Sequence, residues 1–372
     1  MTSGSVLGTA DVVVIGAGVV GLAHAYEAAE RGLSVAVVER DARAIGASVR
    51  NFGHGCITAQ DGQALDYALA SRPVWLRLAE ECGFRISDAG TVVVARADDE
   101  YALLAELAER RDGQVDLLDA RGVRDRVEVD GAVGGALLPL DIRVDPREAV
   151  HALAASLADR GVTFHWSTTA HTIGTAEVGT SRGVLRARHV VVAVGHDVDR
   201  HFPALAEKRD VERCSLHMLR VADPHGRDVD SAVLTGFSML RYRAFAACPS
   251  HAAVRSRLNR EHPGLVDAGL NLMFTQLPCG DLTIGDTHSY QATVSPYRAE
   301  TLDELVLAET ARLLGVRSLT VRERWTGVYA SAPEPFLVET PCAGVRVVAV
   351  TSGIGMTTAF GLAPAVLDDL LA

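Results

Sequence analysis

A chain of 372 residues, 48% hydrophobic and 22% charged, is long enough for two lobes and has the balance of a globular protein rather than a disordered one. Its formal net charge of −11 disfavours a nucleic-acid partner, because neutralising a phosphate backbone takes a basic surface. No apolar run reaches membrane-spanning length, and six scattered cysteines show neither metal-ligand spacing nor a disulfide framework. The start, MTSGSVLGTA, lacks a leader pattern and reads as a short frayed end, so a cytoplasmic protein with no membrane partner and no metal is expected.

The first element lies in VVVIGAGVVGLAHAYEAAERGLSVAVVER, Val12 to Arg40. Asp11 to Ile15 is a β-branched run typical of a buried parallel strand. A helical pattern runs from Val19 to Arg31, Gly32 supplies its stop, and Ser34 to Val38 is again strand-like. In such a strand-helix-strand unit Gly16 allows the tight turn, Gly18 lets backbone approach a pyrophosphate, and Gly21 lets helix pack on strand. Val19 and Val20 then open a helix whose N-terminus faces the diphosphate. Glu39, followed by Arg40, is placed to accept from ribose hydroxyls. This unit alone does not separate NAD from FAD.

Farther along, GTVVVARA and NLMFTQL alternate as strands do, and ETLDELVLAETARLLG reads as an amphipathic helix. VDPREAVHALAASLADRGVTFHW reads as a helix and a strand, and ARHVVVAVGHD as a buried strand ending at Gly195. GFSMLRYRAFA reads as a strand with Arg241 and Arg243 on one face and Tyr242 on the other. In IGDTHSY, the alternate residues Asp286, His288 and Tyr290 share a face if the strand continues. The chain closes with a strand, a turn at Gly353 and Gly355, and a helix whose first residues include Met356 and Thr357. A nicotinamide enzyme has no need of this last unit. A flavin enzyme does, because a helix N-terminus stabilises the anion formed when flavin is reduced.

Taken with GASVRNFGHG at Gly46 to Gly55 and ERWTGVYASAPEP at Glu323 to Pro335, the chain resembles the D-amino acid oxidase superfamily of FAD-dependent oxidoreductases over nearly its whole length. That superfamily includes glycine oxidase and sarcosine oxidase. GFSMLRYRAF, LTIGDTHSY and ERWTGVY are most similar to a branch associated with aminophosphonate metabolism. The resemblance implies an α/β, two-domain fold: a Rossmann-like FAD-binding domain from residues 1–86, 141–210 and 325–372, and a discontinuous antiparallel-sheet substrate domain from 87–140 and 211–324.

It also implies a small amine lying against the flavin, giving hydride from its α-carbon, with the imine then hydrolysing. Ala47 and Ser48 are small where backbone lies close to the flavin, Arg50 and Asn51 reach polar atoms near the ring, and His54 packs beside the cofactor. Trp325 and Tyr329, with His288, are the expected catalytic contacts; Arg241, Tyr242, Arg243, Asp286, Tyr290 and Thr357 the expected substrate contacts.

Departures from the better-known relatives narrow the substrate. The carboxylate-binding arginine that follows Trp-x-Gly in D-amino acid oxidase and glycine oxidase is replaced here by Tyr329. Gly327 stands where sarcosine oxidase carries its flavin-linked cysteine, so FAD is expected without a covalent link. Thr357 and Thr283 stand where that enzyme has lysines for carboxylate and oxygen. A guanidinium pair at Arg241 and Arg243 suits a phosphonate dianion, and 2-aminoethylphosphonate or its N-methyl form is the expected substrate. A glycine or sarcosine oxidase and a non-catalytic flavin-binding protein are the rival expectations. Nothing in the pattern marks an oligomeric state.

Overall fold

In the computed structural model the described residues are 5–372, so the expected frayed start at 1–4 lies outside them. Strand Val6–Ile15 pairs in parallel with Val35–Val38 on one side and Gly183–Val192 on the other. Thr163–His165 and Val345–Ser352 extend the sheet in parallel at its two ends. Alternate residues feed different layers. Val12, Val14, Val35 and Val37 pack under the helices Val19–Glu30, Gln63–Cys82, Pro146–Asp159 and Gly355–Leu371, while Val13, Ile15, Ala36 and Val38 meet residues on the opposite face. Burial on both faces is the reason these strands are continuous β-branched runs.

The second half is mostly antiparallel, in the order Asp116–Asp119, Gly134–Leu138, Thr91–Ala95, Ala232–Leu234, Met273–Gln276, Leu282–Gly285, Glu212–Val221. Helices Asp98–Arg110, His251–Glu261 and Glu300–Leu313 contribute buried residues to its core. One 19-residue strand, Val321–Glu339, joins the halves: it pairs with Glu212–Val221 as far as Ser331, then with Val345–Ser352. The functional cavity opens beside this seam. Among the described residues no helix is long and apolar enough to cross a membrane.

Two expected strands are different. GFSMLRYRAFA forms one-turn helices at Gly236–Met239 and Arg243–Ala246, with Arg241 and Tyr242 between them. The cause is a capping box: Thr235 N–H donates to Ser238 Oγ, and both hydroxyls bond the Leu272 carbonyl, so the backbone turns instead of extending. Alternation therefore fails, and Arg243 is left exposed while Arg241 turns inward. The Asp286 to Tyr290 stretch is also interrupted, because the strand stops at Gly285 and resumes only at Ser289–Gln291. Between them Asp286 exchanges both backbone hydrogen bonds with Asn271, at 2.8 and 3.0 Å.

Candidate active site

A cavity of about 440 Å³ runs from Glu39 and Arg40, past the glycine turn and the terminal helix, to Arg241, Asp286, His288 and Tyr329. At its first end only glycine fits. Gly16 has φ +105°, and a Cβ there would lie 2.4 Å from the Ala193 carbonyl oxygen. A Cβ on Gly21 would lie 1.9 Å from the Gly16 oxygen, which is the helix-on-strand approach expected of it. Helix Val19–Glu30 starts at Gly18 with no acidic first-turn residue, and its first N–H, that of Val19, is met by the Ser48 hydroxyl. The helix Gly355–Leu371, preceded by Gly353 at φ +76°, has no side-chain cap and is also free of acids in its first turn. Two positive helix ends thus face one cavity.

The carboxylate of Glu39 is oriented by backbone donors, Ala17 N–H at 2.8 Å and Asp41 N–H at 3.0 Å, and still has lone pairs for a sugar. Arg40 is tied to Asp197 at 2.5 Å, beside Gly195 at φ +61°. Asp197 carried no motif and was not expected; burial raises its pKa, but His196 and Arg40 outweigh that and hold the carboxyl below its ordinary range.

The GASVRNFGHG segment binds itself as much as it faces the cavity. Ser48 Oγ accepts from Val19 N–H at 2.8 Å, stapling Ala47–Val49 to the glycine turn. Asn51 spends its amide on Ala47 O, Ser48 O and Gly53 N–H, so it shapes the loop. Arg50 lines the cavity, while its guanidinium donates to Ile45 O at 2.7 Å and Thr326 O at 3.3 Å. His54 lines the cavity too, with Nε2 within 2.7 Å of Thr91 Oγ1 and 3.3 Å of Asp141 Oδ2. Asp141 is fully buried and its other oxygen accepts from Ile57 and Thr58 N–H. Sequence gave no hint of Asp141, which lies far from His54 along the chain.

At the other end, Arg241 Nη2 donates to Tyr329 Oη at 2.6 Å and to the Ser352 carbonyl at 3.3 Å. Among the described residues no carboxylate lies within ion-pair distance of this arginine, in contrast to Arg257, which meets Asp99 and Glu100 at 2.9 and 2.5 Å. Burial pushes the Tyr329 and Tyr242 phenols well above their ordinary value, so both are neutral hydrogen-bonding groups at pH 7. Asp286 Oδ1 accepts from Asn271 Nδ2 at 3.0 Å. His288 Nδ1 is 2.8 Å from Gly269 O, and burial lowers its pKa. Thr357 lines the cavity and its Oγ1 accepts from Cys56 N–H at 3.1 Å.

Three expected substrate or catalytic contacts stand elsewhere. Arg243 begins its short helix on the exposed side. Tyr290 sits at the rim, 48% exposed, stacked near His288 with ring centroids 6.4 Å apart. Trp325 is outside the cavity wall: its indole N–H donates to Arg50 O at 3.1 Å and the Arg147 guanidinium covers its ring, so it supports the Arg50 loop from behind. Asn271 and Met273, cavity residues with no motif, were not foreseen.

An elongated cavity that meets two helix N-termini, with an acid at one extremity and polar side chains at the other, is the shape of a dinucleotide-binding site with a small-molecule pocket at its far end. The chain belongs to the FAD dependent oxidoreductase family DAO, matched over residues 11–368. Over 215 residues it is 30% identical to gamma-glutamylputrescine oxidoreductase of Escherichia coli (strain K12), a match spanning 50% of this chain and about half, 49%, of that relative. L-proline dehydrogenase from P. horikoshii superposes with a TM-score of 0.78 at 20% identity, covering 97% of this chain and 92% of that one. Glycine oxidase from Geobacillus kaustophilus gives 0.77 at 20% identity, covering 98% and 94%. The two-domain fold, a Rossmann-like half joined to an antiparallel sheet, is the one the sequence led us to expect.

Proposed function

We propose that the chain oxidises the C–N bond of a small primary or N-methylated amine whose other end is an anion, and that this substrate is an aminophosphonate, 2-aminoethylphosphonate or its N-methyl form. Arg241 carries the reading. A half-buried guanidinium facing a cavity without a carboxylate within ion-pair distance among the described residues is a site for an anion that arrives from outside. Tyr329 Oη fixes its orientation, and the Tyr242 phenol stands beside it to donate to further oxygens. The similarity of gamma-glutamylputrescine oxidoreductase supports an amine as the group oxidised.

FAD would be held by Gly16, Gly18, Glu39 and the first residues of the terminal helix, and supplies at N5 the acceptor for a hydride from the carbon next to nitrogen. The chain's own residues position the amine, exclude bulk water and orient the anion. Hydrolysis of the imine that leaves the site gives phosphonoacetaldehyde with ammonia or methylamine. The cofactor is bound without a covalent link, in keeping with Gly327; acid precipitation is expected to leave all the flavin in the supernatant.

Because Arg243 points away, a single guanidinium remains, and one guanidinium also matches a carboxylate; this favours glycine or sarcosine as the second reading. Anaerobic addition of 2-aminoethylphosphonate, its N-methyl form, glycine and sarcosine in separate cuvettes decides. Bleaching of the flavin by a phosphonate at lower concentration than by either amino acid is expected. Bleaching by an amino acid alone selects the second reading.

A further inference from the structure

The cavity contains two lone-pair groups that face each other, and among the described residues no donor lies between them. A carbonyl oxygen only accepts, so the 2.8 Å contact of His288 Nδ1 with Gly269 O places the ring hydrogen on Nδ1 and leaves a lone pair on Nε2. That nitrogen lies 3.8 Å from Asp286 Oδ2, too far for a hydrogen bond. Asp286 is oriented through its other oxygen by Asn271, and both residues are nine-tenths or more buried and line the cavity. Among the described residues no donor satisfies this pair. A group with several N–H donors and a positive charge would.

The surrounding elements support the same assignment. Arg241 faces His288 from the turn between the two short helices, Tyr329 from the long strand with ring centroids 6.4 Å away, and Tyr290 from the rim at 6.4 Å. The two phenols are neutral, since burial raises both, and Cys214 behind them is pushed up to about 11 by burial and is neutral as well. Asp286 and Arg241 are therefore the charged groups around this histidine among the described residues. Burial, then Arg241, keeps it deprotonated at neutral pH against the pull of Asp286.

Resting on the reading that a small amine enters this cavity, we infer that Asp286 Oδ2 and His288 Nε2 receive the substrate's ammonium group and that His288 removes one of its protons. An alkylammonium has a pKa of roughly 10, so it arrives protonated, and without a nitrogen lone pair it cannot form the C=N bond. In the step, one N–H bond of the ammonium breaks, its electron pair stays on the substrate nitrogen, and an Nε2–H bond forms. The imidazolium is balanced by Asp286, and the amine is left neutral. With Arg241 taking the anion, the two ends of a zwitterion are read by opposite charges in one cavity.

The test uses the FAD holoenzyme and the variants His288→Asn and Asp286→Asn. Asparagine keeps a donor for Gly269 O, and His288→Gln serves if the first variant does not fold. Flavin reduction by 2-aminoethylphosphonate and by glycine is followed anaerobically across the neutral pH range. Binding of ethylphosphonate, an anion with no amine, is read from the flavin spectrum. Wild-type reduction should be flat through neutrality, with its acidic limb below the ordinary histidine value. In His288→Asn reduction at pH 7 should fall about 10²-fold and then rise about tenfold per pH unit toward the amine's own pKa, since only amine already neutral in solution reacts. Asp286→Asn should weaken amine binding about tenfold, and both variants should bind ethylphosphonate within about twofold of wild type.

A wild-type-like pH profile in His288→Asn, or loss of ethylphosphonate binding together with activity, overturns the inference, the latter by showing a merely structural role. If glycine alone reduces the flavin, the aminophosphonate reading falls while the same variants test the inference with glycine, acetate replacing ethylphosphonate. If neither amine reduces the wild type, both fall.

Discussion

At one end the cavity is walled by backbone. Gly16, Gly18 and Gly21 lie within six residues of chain, Gly353 and Gly355 within three, and what they contribute is room and helix-end charge. At the other end it is walled by side chains from four separated places: Arg241 and Tyr242, Asn271, Asp286 and His288, and Tyr329. A dinucleotide is large and constant, so it can be recognised by local backbone shape. A small substrate offers only a few polar atoms, and these must be met one by one by groups that the tertiary fold converges.

The comparison breaks if a change at the backbone end is tolerated. Gly21→Val drives its Cβ into the Gly16 carbonyl, and the purified protein is expected to be colourless with a lowered unfolding temperature. A yellow protein of normal stability would mean that the turn does not hold FAD. At the side-chain end the opposite pattern is expected, with cofactor kept and turnover lost. Arg241→Met should retain full flavin absorbance while kcat/KM for flavin reduction falls about 10²-fold, as for about 2–3 kcal/mol of charged hydrogen bonding.

Smaller effects sharpen the boundary of the site. Tyr329→Phe removes one acceptor from Arg241 but leaves Ser352 O, so about a tenfold loss in kcat/KM is expected, corresponding to about 1.4 kcal/mol. Trp325→Phe loses the hydrogen bond to Arg50 O from outside the wall and should cost about threefold or less. Arg243→Gln, on the exposed side, should leave steady-state rates within about twofold of wild type. A large loss there would return Arg243 to the anion clamp.

Both ends were partly legible in the sequence, for different reasons. The strand, glycine turn, helix and Glu39 are contiguous, and each has one physical job that only its residue type performs, so their roles follow from spacing. Tyr329 was legible only through its motif. Alternation in SMLRYRA predicts Arg241 and Arg243 on one strand face, but the Thr235 to Ser238 cap turns the backbone, and its signal is faint because its third helical residue is serine rather than the usual glutamate or glutamine. Trp325 looked catalytic for sharing a strand face with Tyr329, yet four residues of strand rise, about 13 Å, separate the two, and its indole reaches Arg50 O instead. Asn271 and Asp141 had no signal at all: each matters through a residue far away, Asp286 and His54, that no local pattern connects to it.

The most direct test of the account is a crystal structure of the FAD holoenzyme, reduced beforehand with dithionite so that no turnover occurs, with 2-aminoethylphosphonate bound. The account predicts phosphonate oxygens on the Arg241 guanidinium and the nitrogen between Asp286 Oδ2 and His288 Nε2. A phosphonate held at Arg50 or Arg243, or a nitrogen out of reach of Asp286 and His288, would contradict it.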